Sequence, residues 1–148
     1  NYQKVDIKVF FDKKKYTRNL IYKDDLFEVI ILCWLPGQKT PIHDHQDSDG
    51  FIWGLSGELM EYKYSPVEDV KNKQPLEGVS EGIITKGVLS HMADDIGIHS
   101  IENASKHRAI TLHVYSKPIE WCYSFNPATS ERVRRDVFFD SHQNRHAV

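Results

Sequence analysis

Apolar and polar residues alternate along this chain in short runs, and turn residues separate the runs at close intervals. Leu20-Ile21-Tyr22, the acidic turn Lys23-Asp24-Asp25 and the stretch from Leu26 to Leu35 read as a hairpin leading into a buried strand, which Pro36-Gly37 breaks. Phe51 to Leu55 follows, Ser56-Gly57 turns, and Glu58 to Tyr64 alternates again. Further short strands are expected at Gly82 to Thr85, around Ile98 to Ile101, and from Arg108 to Tyr115. Residues 65–81, rich in Pro, Asn, Gly and charge, read as an exposed excursion with little regular structure. Beyond Pro127, an arginine cluster (Arg132, Arg134, Arg135) and an apolar patch (Val137, Phe138, Phe139) predict one more edge strand and then a ragged end. No interval holds a crossover helix, which argues against βαβ topology. The pattern predicts an all-β sandwich or barrel with few helical residues, as one domain over residues 1–148.

Composition narrows this picture. A chain of 148 residues with 40% hydrophobic content can bury roughly two-thirds of its unfolded surface, so a core needs neither disulfides nor assembly. A monomer is therefore expected. Nineteen Lys and Arg against 21 Asp and Glu leave no basic field, so nucleic acid is not an expected partner. The longest apolar run, Val29 to Leu35, is far too short to span a bilayer, and nothing near Asn1 reads as a signal peptide. The chain begins at Asn1 rather than Met, which leaves an N-terminal truncation open. Two cysteines, Cys33 and Cys122, imply no disulfide framework, and a cytoplasmic location is expected.

Candidate chemistry lies in the eight histidines. His142 and His146 sit in a polar tail, and His91 and His107 in polar, turn-like stretches; all four read as solvated surface. His43 and His45 differ: in extended chain, residues two apart project to one face, so both imidazoles point together while Asp44 points away. Two neutral imidazoles on one face make half a divalent-metal site. With the flanking glycines the pattern is Gly37-x5-His43-x-His45-x4-Gly50-x6-Gly57, followed much later by His99-x3-Asn103. From Arg108 to Tyr115, Ile110, Leu112 and Val114 share one face, and Thr111, His113 and Tyr115 the other. Three hydrogen-bonding side chains on a barrel's inner face are costly unless they line a polar cavity.

The histidine spacing resembles the two motifs of the cupins, which implies a small jelly-roll-like β-barrel. Most cupins carry a glutamate as fourth ligand where this chain has Gly50, so the resemblance implies three neutral histidines, His43, His45 and His99, with positions left open on the metal. Iron, zinc and nickel all accept such a set. A longer match, from Tyr16 to Cys122, resembles the cysteine dioxygenases. It rests on Tyr16-Thr17-Arg18-Asn19-Leu20, Ile31-Leu32-Cys33-Trp34, Ile42-His43-Asp44-His45, Ile96 to Asn103 and Leu112 to Ser116.

That resemblance implies Fe(II) on the three histidines, with L-cysteine and O2 as partners and cysteine sulfinic acid as product. It implies that Arg18 anchors the substrate carboxylate and that Tyr16 lines the substrate site. Thr111, His113 and Tyr115 stand for the family's Ser-His-Tyr set, in which Tyr115 supplies a proton or positions oxygen and His113 orients it. The chain departs from the animal members at Gly50, where they carry a cysteine that crosslinks to the tyrosine; here Tyr115 is expected to stay unmodified. Gly50 also occurs in relatives that oxidise 3-mercaptopropionate, but those typically have glutamine at the Arg18 position. Few residues precede Tyr16, where the family usually has helices. Two alternatives remain: a dioxygenase of another small thiol acid such as 3-mercaptopropionate, and a cupin that binds metal as a sensor without turnover.

Overall fold

The computed structural model describes residues 10–67 and 73–142. Twelve strands account for its regular structure: β1 (Thr17–Lys23), β2 (Phe27–Trp34), β3 (Ile42–His43), β4 (Asp49–Ser56), β5 (Glu58–Tyr64), β6 (Gly78–Thr85), β7 (Leu89–Met92), β8 (Ile98–Glu102), β9 (Ala109–Ser116), β10 (Trp121–Phe125), β11 (Arg132–Asp136) and β12 (Ser141–His142). They form two six-stranded sheets, ordered β12-β1-β2-β9-β4-β7 and β11-β10-β3-β8-β5-β6. Every pairing is antiparallel except the short β1–β12 contact. No α-helix occurs among the described residues, and no helix there is long and apolar enough to cross a membrane.

The period-2 pattern decides which side chains face inward. On β2, Ile30, Leu32 and Trp34 are buried, and they pack with Ile52 of β4, Leu59 of β5, Ile84 of β6 and Ile101 of β8 in one core. The β4–β5 connection requires Gly57: its φ is +77°, and a Cβ there would lie 2.7 Å from the Ala109 Cα.

Three expectations need correction. Residues 78–81 are not irregular; they extend β6 and pair with β5 from Tyr64 to Tyr62, because the alternation on β5 continues to its end. Leu89 to Met92 is a strand rather than a turn, pairing with β4, and it carries His91 on its exposed side, where it stacks on Phe51. The tail forms more than one edge strand: β11 carries the arginines on β10, and Ser141–His142 adds to β1. Phe138 is exposed, whereas Val137 and Phe139 pack on the core. His107 is exposed as expected; His146 and the side chain of His142 lie outside the described residues.

Candidate metal centre and adjoining cavity

His43 and His99 sit directly opposite each other on β3 and β8. Regular pairing ends after His43, and the chain turns through Gln46 and Asp47, both at positive φ. Asp94 holds this turn, accepting from the backbone N–H of His45 and of Asp47 at 2.7 Å each. The Asp44 carboxylate accepts instead from the Tyr123 amide and the Gln46 side chain, leaving the histidines to face one another. Their three ligand nitrogens lie within 4.8 Å of one another.

The hydrogen bonds settle the tautomers. Nδ1 of His43 donates to the Pro41 carbonyl at 3.0 Å, Nδ1 of His45 to the Met92 carbonyl at 3.4 Å, and Nδ1 of His99 to Glu61 Oε1 at 2.8 Å. Each Nε2 is therefore a bare lone pair. Burial holds all three imidazoles below the usual histidine range, and the neighbouring histidines push His45 and His99 further down. Nε2 of His45 and of His99 are 3.1 Å apart, although neither has a proton to share. Two nitrogens each ~2.1 Å from one ion stand ~3.0 Å apart at a right angle and ~3.4 Å apart at the tetrahedral angle, so His45 and His99 have the spacing of two ligands on one divalent metal, and His43 lies close enough to be the third.

Glu61 is a residue that histidine spacing could not reveal. It is buried on β5, binds His99 through Oε1, and accepts from the Ser90 hydroxyl at 2.5 Å through Oε2. A carboxylate behind a ligating imidazole fixes the ring and raises its basicity. The signal was present in the alternation, which puts Glu61 on the same face as Leu59; Asp94, 49 residues from His45, had none.

Gly50 is a steric requirement. A Cβ at this position would lie 2.7 Å from His45 Cε1 and 3.1 Å from Tyr115 Cε1. A fourth protein ligand from residue 50 would have to displace His45.

Beside the histidines opens a cavity of ≈ 260 Å³, lined by Tyr16, Arg18, His113, Tyr115 and apolar side chains including Leu32 and Ile119. The described part of residues 65–81 does not reach it; residues 135–138 and Asp140 line its rim. Tyr16 stacks on the buried Trp34 at 4.6 Å. Asn103 lies outside the cavity and organises the turn before β9 by donating to the carbonyls of Trp34 and His107.

Thr111, His113 and Tyr115 all face inward and form a chain with Trp34. The indole N–H donates to Thr111 Oγ1 at 3.0 Å, Thr111 meets His113 Nε2 at 2.8 Å, and His113 Nδ1 meets the Tyr115 hydroxyl at 3.0 Å. An indole can only donate, so Trp34 takes one lone pair of the Thr111 hydroxyl, and Thr111 Oγ1 shares the next hydrogen bond with His113 Nε2. His113, kept neutral by burial and by Arg18, joins Thr111 to the Tyr115 phenol through its two ring nitrogens. Burial pushes the Tyr115 pKa up to about 12, so the phenol keeps its proton, and Arg18 hydrogen-bonds to it from the other side.

Arg18 reaches Tyr115 from β1. Its Cζ lies 6.0 Å from the centres of the Tyr115 and Phe139 rings, and Nη2 is 3.6 Å from Glu28 Oε1. Arg18 Nε and Nη2 and both Glu28 oxygens are buried without a hydrogen bond; the Ile119 amide approaches Glu28 but misses hydrogen-bonding geometry. Burial raises the Glu28 carboxyl above its ordinary range, against the pull of Arg18.

With this geometry in place, comparison with known proteins is informative. Residues 3–128 match the family described as cysteine dioxygenase type I. Cysteine dioxygenase type 1 of Bos taurus is 35% identical over 133 residues, which cover 88% of this chain and 66% of the relative, so the chain spans about two-thirds of that protein's length. Among solved structures, a conserved protein from Klebsiella pneumoniae with a double-stranded β-helix domain aligns over 93% of this chain and all of its own, with TM-score 0.59 and 12% identity. The cupin domain of Schizosaccharomyces pombe Cnp3 aligns over 70% of this chain and 61% of its own, with TM-score 0.56 and 10% identity. These two share the fold: the two-sheet arrangement is a cupin. Matched over most of its length, the chain belongs to the cysteine dioxygenase type I family.

Proposed function

We propose that this protein is an Fe(II)-dependent dioxygenase that converts L-cysteine and O2 to cysteine sulfinic acid. The observation that carries the reading is the convergence of three unprotonated Nε2 atoms beside a cavity that also presents Arg18 and Tyr115. His43, His45 and His99 would hold the ion, each ring steered by its Nδ1 hydrogen bond. A ferrous ion bound there supplies affinity for thiolate and activation of dioxygen, which no side chain offers.

The chain's own residues do the rest. Arg18 binds the substrate carboxylate, for which a planar guanidinium is suited, and thereby orients the thiol toward the histidines. The Tyr115 O–H, aligned by His113 and Thr111, donates a hydrogen bond where oxygen reacts, and Tyr16 closes the side of the cavity. Leu32, Ile119 and the rim limit water. We take a monomer as the working unit. Two unpaired cysteines are compatible with a reducing cytoplasm, where we place the activity.

The test is oxygen uptake by protein reconstituted anaerobically with Fe(II), run with cysteine and with 3-mercaptopropionate and with products identified by mass. Uptake favouring cysteine and matched mole for mole by cysteine sulfinic acid is expected. A preference for 3-mercaptopropionate would reassign the substrate, and no uptake with either thiol would leave a metal-binding sensor.

A further inference from the structure

Glu28 is an inward-facing acid that neither the histidine cluster nor the Tyr115 chain uses. It is fully buried, and β2 places it in one cross-sheet row with Tyr115 and Gly50. Arg18 leaves β1 elsewhere, opposite Leu32, four residues further along β2. That is roughly 13 Å along the strand. Yet Arg18 Nη2 and Glu28 Oε1 are only 3.6 Å apart. The arginine therefore runs lengthwise along the sheet instead of straight across the cavity, and holding so long a side chain in one extended conformation has an entropic cost.

The rings of Tyr115 and Phe139 flank the guanidinium, and Glu28 is the carboxylate it meets. The pair is close enough for charge attraction and too far apart for a hydrogen bond, so Arg18 Nε and Nη2 are oriented without being consumed, while the guanidinium also hydrogen-bonds to Tyr115. Two buried guanidinium nitrogens with unused N–H groups are incomplete, and a carboxylate from the cavity would complete them.

We propose that Glu28 is the positioning residue of the carboxylate subsite: it fixes the Arg18 guanidinium beside Tyr115 and so makes the site select thiols that carry a carboxylate. The inference rests on the reading of Arg18 as substrate anchor and adds the residue that makes Arg18 selective. Glu28 itself does not line the cavity and acts only through Arg18.

The experiment compares Glu28→Gln, which keeps shape and removes charge, with the unaltered protein. Both are loaded with Fe(II) and titrated anaerobically with cysteine and with cysteamine, which has the same thiol and amine but no carboxylate. Weakening of cysteine binding by about tenfold or more is expected, with cysteamine binding and metal content unchanged. Glu28→Asp should restore part of the difference. Unchanged or tighter cysteine binding, or an equal loss for both thiols, would overturn the proposal. Crystal structures of the two proteins supply a readout independent of thiol binding: Arg18 should leave Tyr115 in Glu28→Gln, and an unmoved guanidinium contradicts the positioning role. If the unaltered protein does not distinguish the two thiols, it is the anchoring role of Arg18 that fails, and the position of Arg18 in the crystals still decides the role of Glu28.

Discussion

His43, His45 and His99 each have one ring nitrogen tied to a fixed acceptor, whereas Arg18 and Glu28 leave four buried polar atoms without a hydrogen bond. Among the described residues, no other buried side-chain nitrogen or oxygen is in that position. The first region is built in advance: tautomers, ring angles and spacing are set by Pro41, Met92, Glu61 and the Asp94 turn. The second is poised but unfinished, with a cation and an acid held close and no partner for their remaining hydrogen bonds. Since unpaired buried groups are costly, the contrast locates where a ligand contributes most. On the proposed function, the histidine side specifies where an ion sits, and the Arg18 side specifies what accompanies it.

The largest effect should come from breaking the finished half. His99→Ala removes one of three ligands and strands Glu61, and the variant should retain almost no iron after reconstitution and desalting. Metal analysis showing full occupancy would remove His99 from the site. Next, Arg18→Ala should leave iron content intact while raising KM for cysteine by about a hundredfold, since a bidentate, charge-assisted pair is lost. Kinetics showing KM unchanged would end the anchoring role and collapse the comparison to one half.

How much of this was legible in the sequence follows the same division. The hairpins, the shared face of His43 and His45 and that of Thr111, His113 and Tyr115 were readable because period-2 alternation fixes the face of a strand, whereas His99 joined them through the resemblance of its spacing to the cupin motifs. Glu61 and Glu28 were not singled out, although the same alternation puts each on the inner face; a charged residue there reads as a break in the pattern until its partner is known. Asp94 could not have been found, because its task depends on a contact between segments 49 residues apart. β7 was missed because its short, mixed stretch becomes a strand only against β4, whereas Trp121-Cys122-Tyr123-Ser124-Phe125 of β10 carries an aromatic strand signal that went unread.

A smaller change sharpens the metal half. Glu61→Gln keeps an acceptor for His99 but removes the charge, and should weaken metal affinity by about tenfold, read by competition with a chelator. No change would show that the carboxylate only fills space. The smallest effect is a pH dependence spread over the core. Burial pushes the Cys33 and Cys122 thiols up to about 11 and the Tyr115 phenol up to about 12, from ordinary values of 9.0 and 10.0. The folded chain keeps these protons where the unfolded chain releases them, so this contribution to stability is complete below pH 9 and is lost as pH rises toward 12. Thermal unfolding should shift downward steadily above pH 9, and a flat Tm to pH 11 would contradict the assignment.

The most direct measurement is X-ray absorption at the iron edge of Fe(II)-loaded protein, before and after anaerobic addition of cysteine, with Arg18→Ala alongside. The account predicts three imidazole nitrogens at the iron before addition, and a sulfur scatterer afterward that Arg18→Ala loses at the same cysteine concentration. An unaltered protein that shows no sulfur at the iron with saturating cysteine would contradict the account at its centre.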